Sequence, residues 1–264
     1  MNGHFLLFAI CIAVITADAG VRVIHASPDA PAVDVFVNST TPTFSNLAFT
    51  ENTGAYTLLP ANVYNIKVSP TGATTPVVIN ATLPLADGVY YTIAAAGFLA
   101  DIEALVFVDE VTTNSTLASV RFIHLAPDAP AVDVAVQNSS TLFSNVSFSE
   151  SGGYVSVPEG TYDLEVLAAG TTTQVLAVPG VSLMAGTVYT VFAEGTLNQP
   201  EYPLQAVLTV DAAPSSSPVE PDDNDNTRLI IIICVAVGAV LLIIVTALVA
   251  YFCCIRKRGY ENVA

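Results

Sequence analysis

The sequence predicts an all-β ectodomain, two tandem antiparallel β-sandwich domains of immunoglobulin or transthyretin type, carried by one transmembrane α-helix. Three observations predict it. The eleven residues His25 to Val35 return almost unchanged as His124 to Val134, 99 residues later, and a period that long is a whole small domain rather than a solenoid unit. Within each copy, short apolar–polar alternations are separated by turn residues. The stretch Leu229 to Phe252 is 24 residues without a charge.

Residues 1–19 have the form of a signal peptide. Phe5 to Ile15 is an apolar run of 11 residues, short of the ~17 needed to span a bilayer. Ala17-Asp18-Ala19 supplies a small-x-small cleavage site. Residues 20–111 form the first module. Val33, Val35 and Val37 alternate with Asp34, Phe36 and Asn38, which buries one face of a strand. Further strand-like runs are 21–25, 43–49, 55–59, 63–68, 76–83, 89–95 and 104–108. Residues 112–117 are a polar linker, and residues 118–211 repeat the module. Pro60-Ala61-Asn62 corresponds to Pro158-Glu159-Gly160, and the exchange of Asn for Gly predicts a left-handed turn residue there.

Residues 212–228 form an acidic Pro/Ser stalk, able to reach about 50 Å at ~3.1 Å per residue. The predicted membrane helix is 229–252, long enough for a hydrocarbon core of about 30 Å. Arg256-Lys257-Arg258 follows it, so the positive-inside bias puts the tail, 253–264, in the cytosol. The expected outline is two beads on a short stem.

Charge and cysteines narrow the function classes. Residues 20–228 hold 21 Asp and Glu against four Lys and Arg, a net charge of −17, which excludes a basic nucleic-acid face. None of the four cysteines lies between residues 12 and 233, so the modules rely on core burial rather than disulfides. Sequons stand at Asn38, Asn80, Asn114, Asn138 and Asn145 and mark candidate glycosylation sites. Cys253 and Cys254, beside the basic cluster, suit palmitoylation. Tyr260 to Val263 has the Tyr-x-x-apolar form of an endocytic sorting signal, and Tyr260 is a candidate phosphorylation site.

The segment His-x-x-Pro-Asp-Ala-Pro-Ala-Val-Asp-Val, present twice, resembles the signature of the domain of unknown function 4397 family. The downstream turn Pro158-Glu159-Gly160-Thr161-Tyr162 resembles it too, with Asn62 replacing the glycine in copy one. The resemblance covers about 20–111 and 118–211. It implies an extracellular β-sandwich module, often in tandem, with no established activity.

The chemistry-bearing candidates are few. His25, Asp29 and Asp34, and equally His124, Asp128 and Asp133, are weak candidates for a metal site, since zinc takes three or four such ligands. The structural reading is stronger. Asp29 sits between prolines where it can accept backbone amides, Asp34 can pair with Arg22 or bond a loop amide, and His25 suits a hydrogen-bonded core position. Nothing marks a poised nucleophile. Asp222 to Asn226 imitates the opening of a calcium loop but lacks the glycine and closing glutamate. No cofactor and no enzymatic activity are expected.

The sequence favours a single-pass type I glycoprotein of the plasma membrane, its N-terminus extracellular. Its paired modules would serve binding or adhesion toward an extracellular protein or glycan, with avidity from duplication and an endocytic adaptor at the tail. The alternative is a structural cell-coat spacer. A third reading is a metal-dependent hydrolase built on the repeated His/Asp motif.

Overall fold

The computed structural model describes residues 17–213. The expected signal peptide up to residue 16, and the expected stalk from residue 214, membrane span 229–252 and tail 253–264, lie outside the described residues. Among the described residues no helix is long and apolar enough to cross a membrane.

The first module has eight strands: β1 (Ala19–Ala26), β2 (Val33–Val37), β3 (Phe44–Leu47), β4 (Thr57–Leu59), β5 (Asn62–Pro70), β6 (Ile79–Leu85), β7 (Tyr90–Ala96) and β8 (Glu103–Asp109). The second repeats them: β9 (Ala118–His124), β10 (Val132–Val136), β11 (Thr141–Val146), β12 (Ser151–Val157), β13 (Gly160–Ala168), β14 (Gln174–Leu183), β15 (Val188–Glu194) and β16 (Gln205–Ala212). Strand β1 opens on Ala19, the residue before the expected cleavage point. Ala19 is fully buried, as is Ala118 at the start of β9.

Each module is two four-stranded sheets. The orders are β4-β1-β7-β8 with β3-β2-β5-β6, and β12-β9-β15-β16 with β11-β10-β13-β14. The expected antiparallel arrangement holds for most pairs but not all. Strand β1 runs parallel to β7 and β9 parallel to β15. Alternation along a strand decides which face it buries, not which neighbour it takes or in which direction.

Valines and isoleucines from both sheets fill each sandwich. Val21, Val23, Val33, Val35, Ile66 and Val68 share one core, and Val120, Phe122, Val132, Val134 and Val166 share the other. The turn before β5 and β13 differs from expectation, because neither Asn62 nor Gly160 has a positive φ. A tyrosine shapes that turn instead. Tyr64 Oη donates to the Pro60 carbonyl at 2.9 Å, and Tyr162 Oη to that of Pro158 at 2.7 Å.

The modules are not separate beads. They belong to one compact unit, with the outer faces of the two mixed sheets packed together. Ile24, Ala26, Ala94 and Ala96 of the first meet Ile123, Leu125 and Phe192 of the second in a third apolar core. Strands β1, β7 and β15 are therefore buried on both faces almost throughout.

Candidate functional site

Two constellations organise the described residues. The first is the repeated motif. His25 ends in the core of its module, fully buried. The Ser27 amide donates to His25 Nδ1 at 3.3 Å, so the proton sits on Nε2, which donates to the Pro31 carbonyl at 3.0 Å. In copy two the Ala126 amide and the Pro130 carbonyl play these parts at 3.3 and 3.0 Å. Burial pushes both imidazoles below the usual histidine range, against a smaller opposing effect of the carbonyl bond.

Each carboxylate of the motif holds a different loop. Asp29 accepts from the Leu99 amide at 2.7 Å. Asp128 accepts from the Leu197 and Asn198 amides at 2.7 and 3.0 Å. Asp34 takes the Asn46 and Gly72 amides at 2.8 and 2.9 Å, and Asp133 takes those of Asn145 and Gly170 at 2.7 and 2.8 Å. Asn46 of β3 and Asn145 of β11, and Gly72 and Gly170 in the turns after β5 and β13, all have positive φ, so each of these carboxylates ties a left-handed strand position to a turn. The Gly170 amide, then that of Asn145, holds the Asp133 carboxyl below its usual value.

The structure does not bring His25, Asp29 and Asp34 together as ligands, nor His124, Asp128 and Asp133. Among the described residues no three His, Cys, Asp or Glu side chains are placed to hold a metal ion. Asp34 bonds loop amides rather than pairing with Arg22. The two face outward from opposite sheets of the sandwich, which stand about 10 Å apart.

The second constellation was not singled out as a site in the sequence. Arg22 reaches across the module junction to Asp211 at 2.6 Å, and Arg121 reaches back to Asp109. Each aspartate also lies near the other arginine, at 3.8 and 3.9 Å. Thr92 bridges Arg22 and Asp109, and Thr190 bridges Arg121 and Asp211. Tyr56 donates to Asp109 at 2.7 Å and Tyr154 to Asp211 at 2.8 Å. The guanidinium carbons of Arg22 and Arg121 stand 4.9 and 4.6 Å from the centroids of the Tyr56 and Tyr154 rings. Burial, then the neighbouring aspartates, raises the Tyr56 phenol well above its usual range; burial and Asp211 do the same to Tyr154. A buried charge is tolerable only when paired and hydrogen-bonded, and here four charges satisfy one another.

The profile of the domain of unknown function 4397 family matches residues 19–135 and 118–221. The chain belongs to this family. A comparison with curated proteins gives no match. Among solved structures, the chain is similar to a family 26 carbohydrate-binding module from Eubacterium rectale Amy13K in complex with maltoheptaose. That likeness has 10% identity, a TM-score of 0.24, and covers 71% of this chain and 96% of that one.

In this member of the domain of unknown function 4397 family, the repeated motif is spent on its own loops. His124→Ala would strand the Pro130 carbonyl and the Ala126 amide in the interior. The expected loss is about 1–3 kcal/mol, read as a lower midpoint in urea unfolding. The five sequon asparagines, Asn38, Asn80, Asn114, Asn138 and Asn145, are all exposed, as glycosylation requires. Asn38 and Asn80 each offer Oδ1 to Asn65, at 2.7 and 2.8 Å, which leaves both Nδ2 atoms available. Cys253, Cys254, Tyr260 and Val263 lie outside the described residues.

Proposed function

We propose that the protein is a non-enzymatic, type I cell-surface glycoprotein of the plasma membrane whose two modules act as one rigid recognition block. The observation that carries this reading is the commitment of the histidine and both aspartates of each motif copy to internal partners. With the motif tied into loops, the exposed loops and outer sheets are what the block presents to a partner. Loops held by a scaffold are where recognition residues concentrate. The block would bind an extracellular protein or glycan, while the tail engages an endocytic adaptor and the tail cysteines carry palmitate.

An array of glycans and cell-surface proteins probed with residues 20–213 tests this. A saturable, selective ligand is the expected result. No ligand, together with unchanged cell attachment on deletion of the protein, would overturn it. The packed junction also favours a second reading as a coat spacer, because a rigid block holds a fixed length. In that case replacement of both modules by an unrelated pair of equal length would preserve function.

A further inference from the structure

We infer that the outer face of the first module carries a binding site for a sugar acid, a monosaccharide-sized ligand bearing one carboxylate. This rests on the binding reading above and goes further, because it names the face and the ligand class.

Strands β2 and β5 bury Val33, Val35, Ile66 and Val68 in the core, so Phe36, Lys67 and Ser69 face away from it. An outward phenylalanine is ordinarily exposed, yet Phe36 is 5% and Ser69 1% exposed. The connection from β2 to β3 and that from β5 to β6 rise on either side and leave a cavity of about 300 Å³. Phe36, Lys67 and Ser69 line it, with Thr40 and Thr74 from the two loops. It adjoins a shallower hollow that shares Phe36, Thr40 and Lys67. A volume near 300 Å³ is at the small end for ligand pockets and holds one sugar ring, with the adjoining hollow of about 560 Å³ open beside it.

Two features point to what it takes. The Ser69 hydroxyl is buried without a hydrogen-bond partner, and an unmet buried donor is costly, so it is poised for an acceptor. Lys67 is the one exposed basic side chain among the described residues, since Arg22 and Arg121 are buried in the module junction. No carboxylate among the described residues pairs with it. A lone cation in an acidic ectodomain selects a single negative charge. A phosphate, with nearly two, is met by several cations or by a lysine together with a helix N-terminus, and the lining of this cavity offers Lys67 alone. Threonine hydroxyls suit ring hydroxyls, and Phe36 gives an apolar floor.

The second module shows that the fold does not need this set. The register that places Phe36 opposite Lys67 places Ala135 opposite Glu165, and Leu167 stands where Ser69 does. One copy therefore carries the site and the other has the opposite charge, so the two modules are not equivalent arms for a repeated ligand.

Calorimetric titration of the full chain made without N-glycans, because Asn80 stands opposite Lys67 and Asn38 lines the adjoining hollow, with glucuronate, glucose and inorganic phosphate tests the inference. Saturable glucuronate binding is expected, with at least a tenfold weaker response to glucose and phosphate. Lys67→Glu, importing the residue of the second module at an exposed position, should abolish it while thermal unfolding stays within a few degrees of the parent; Phe36→Leu, which keeps most of the buried volume, should weaken it. Lys67→Gln should weaken it about tenfold. Absent glucuronate binding, or binding unchanged in Lys67→Glu, would overturn the site. Phosphate binding as tight as glucuronate would overturn the sugar-acid assignment. An array ligand that Lys67→Glu still binds would overturn this site while leaving the general binding reading intact.

Discussion

Asp211→Ala is expected to cost about 3–5 kcal/mol of stability, the range for removing one partner of a buried ion pair. The physical reason is the company Asp211 keeps. Its side chain is fully buried beside Arg22 and also accepts from Thr190 and Tyr154. Its loss leaves a guanidinium in the interior with the more distant Asp109 as its remaining carboxylate, 3.8 Å away. Asp109→Ala should be equally damaging, because Arg121, Thr92 and Tyr56 converge on it in the same way. The double variant Arg22→Met, Asp211→Leu should recover much of the loss, since apolar groups of similar volume avoid desolvating charge. Urea unfolding of the parent, Arg22→Met, Asp211→Leu and the double variant provides the double-mutant comparison. Simple additivity would mean that the two residues do not act as a pair. The single variants should also loosen the module junction, seen as faster amide exchange in β1 and β9, the strands that carry the two arginines.

Much of the fold was legible because strand periodicity is local. Val33, Val35 and Val37 announce an inward face in the sequence; Val33 and Val35 join the core, and Val37 at the strand end is half-buried. The repeat announced two modules. Their packing was legible in principle through a different signal. In β1 the outward set is Arg22, Ile24 and Ala26, and in β7 it is Thr92, Ala94 and Ala96, both largely apolar where a solvated sheet would be polar. Arg22 and Arg121 occupy matching places in otherwise apolar strands, which foretells a buried charge with a partner. Which partner could not be read, since Asp211 is 189 positions from Arg22 and only the docking of two sheets brings them together. The parallel pairing of β1 with β7 was hidden for the same reason. The motif suffered the opposite problem. Its repetition suggested chemistry, but repetition equally marks the carboxylates that hold Asn46, Gly72 and their counterparts at positive φ.

Glu194→Gln is expected to reverse a pH dependence built into the module junction. Glu194 shares the face of Thr190 and Phe192 on β15, is fully buried, and neither carboxylate oxygen has a hydrogen-bond partner. The first module has Ala96 at this place. Burial alone pushes the Glu194 carboxyl up to about 8, so the folded protein keeps this proton at neutral pH while the unfolded chain has released it. Between about pH 4.5 and pH 8 the unfolded state therefore binds fewer protons, and stability falls as pH rises. At about 1.4 kcal/mol per unit, the full effect is of the order of 5 kcal/mol. His25 and His124 act with the opposite sign. Their folded values lie below the usual 6.5, so their contribution is present above that value and is lost as pH falls through and below it. Glu194→Gln isolates the first effect, because Gln keeps the volume and cannot ionise. Its unfolding free energy relative to the parent should climb steadily from about pH 5 to pH 8 and then level off, with the histidine loss at low pH common to both. Parallel profiles for the two proteins across that range would mean that Glu194 has found a partner for its charge and does not govern the junction.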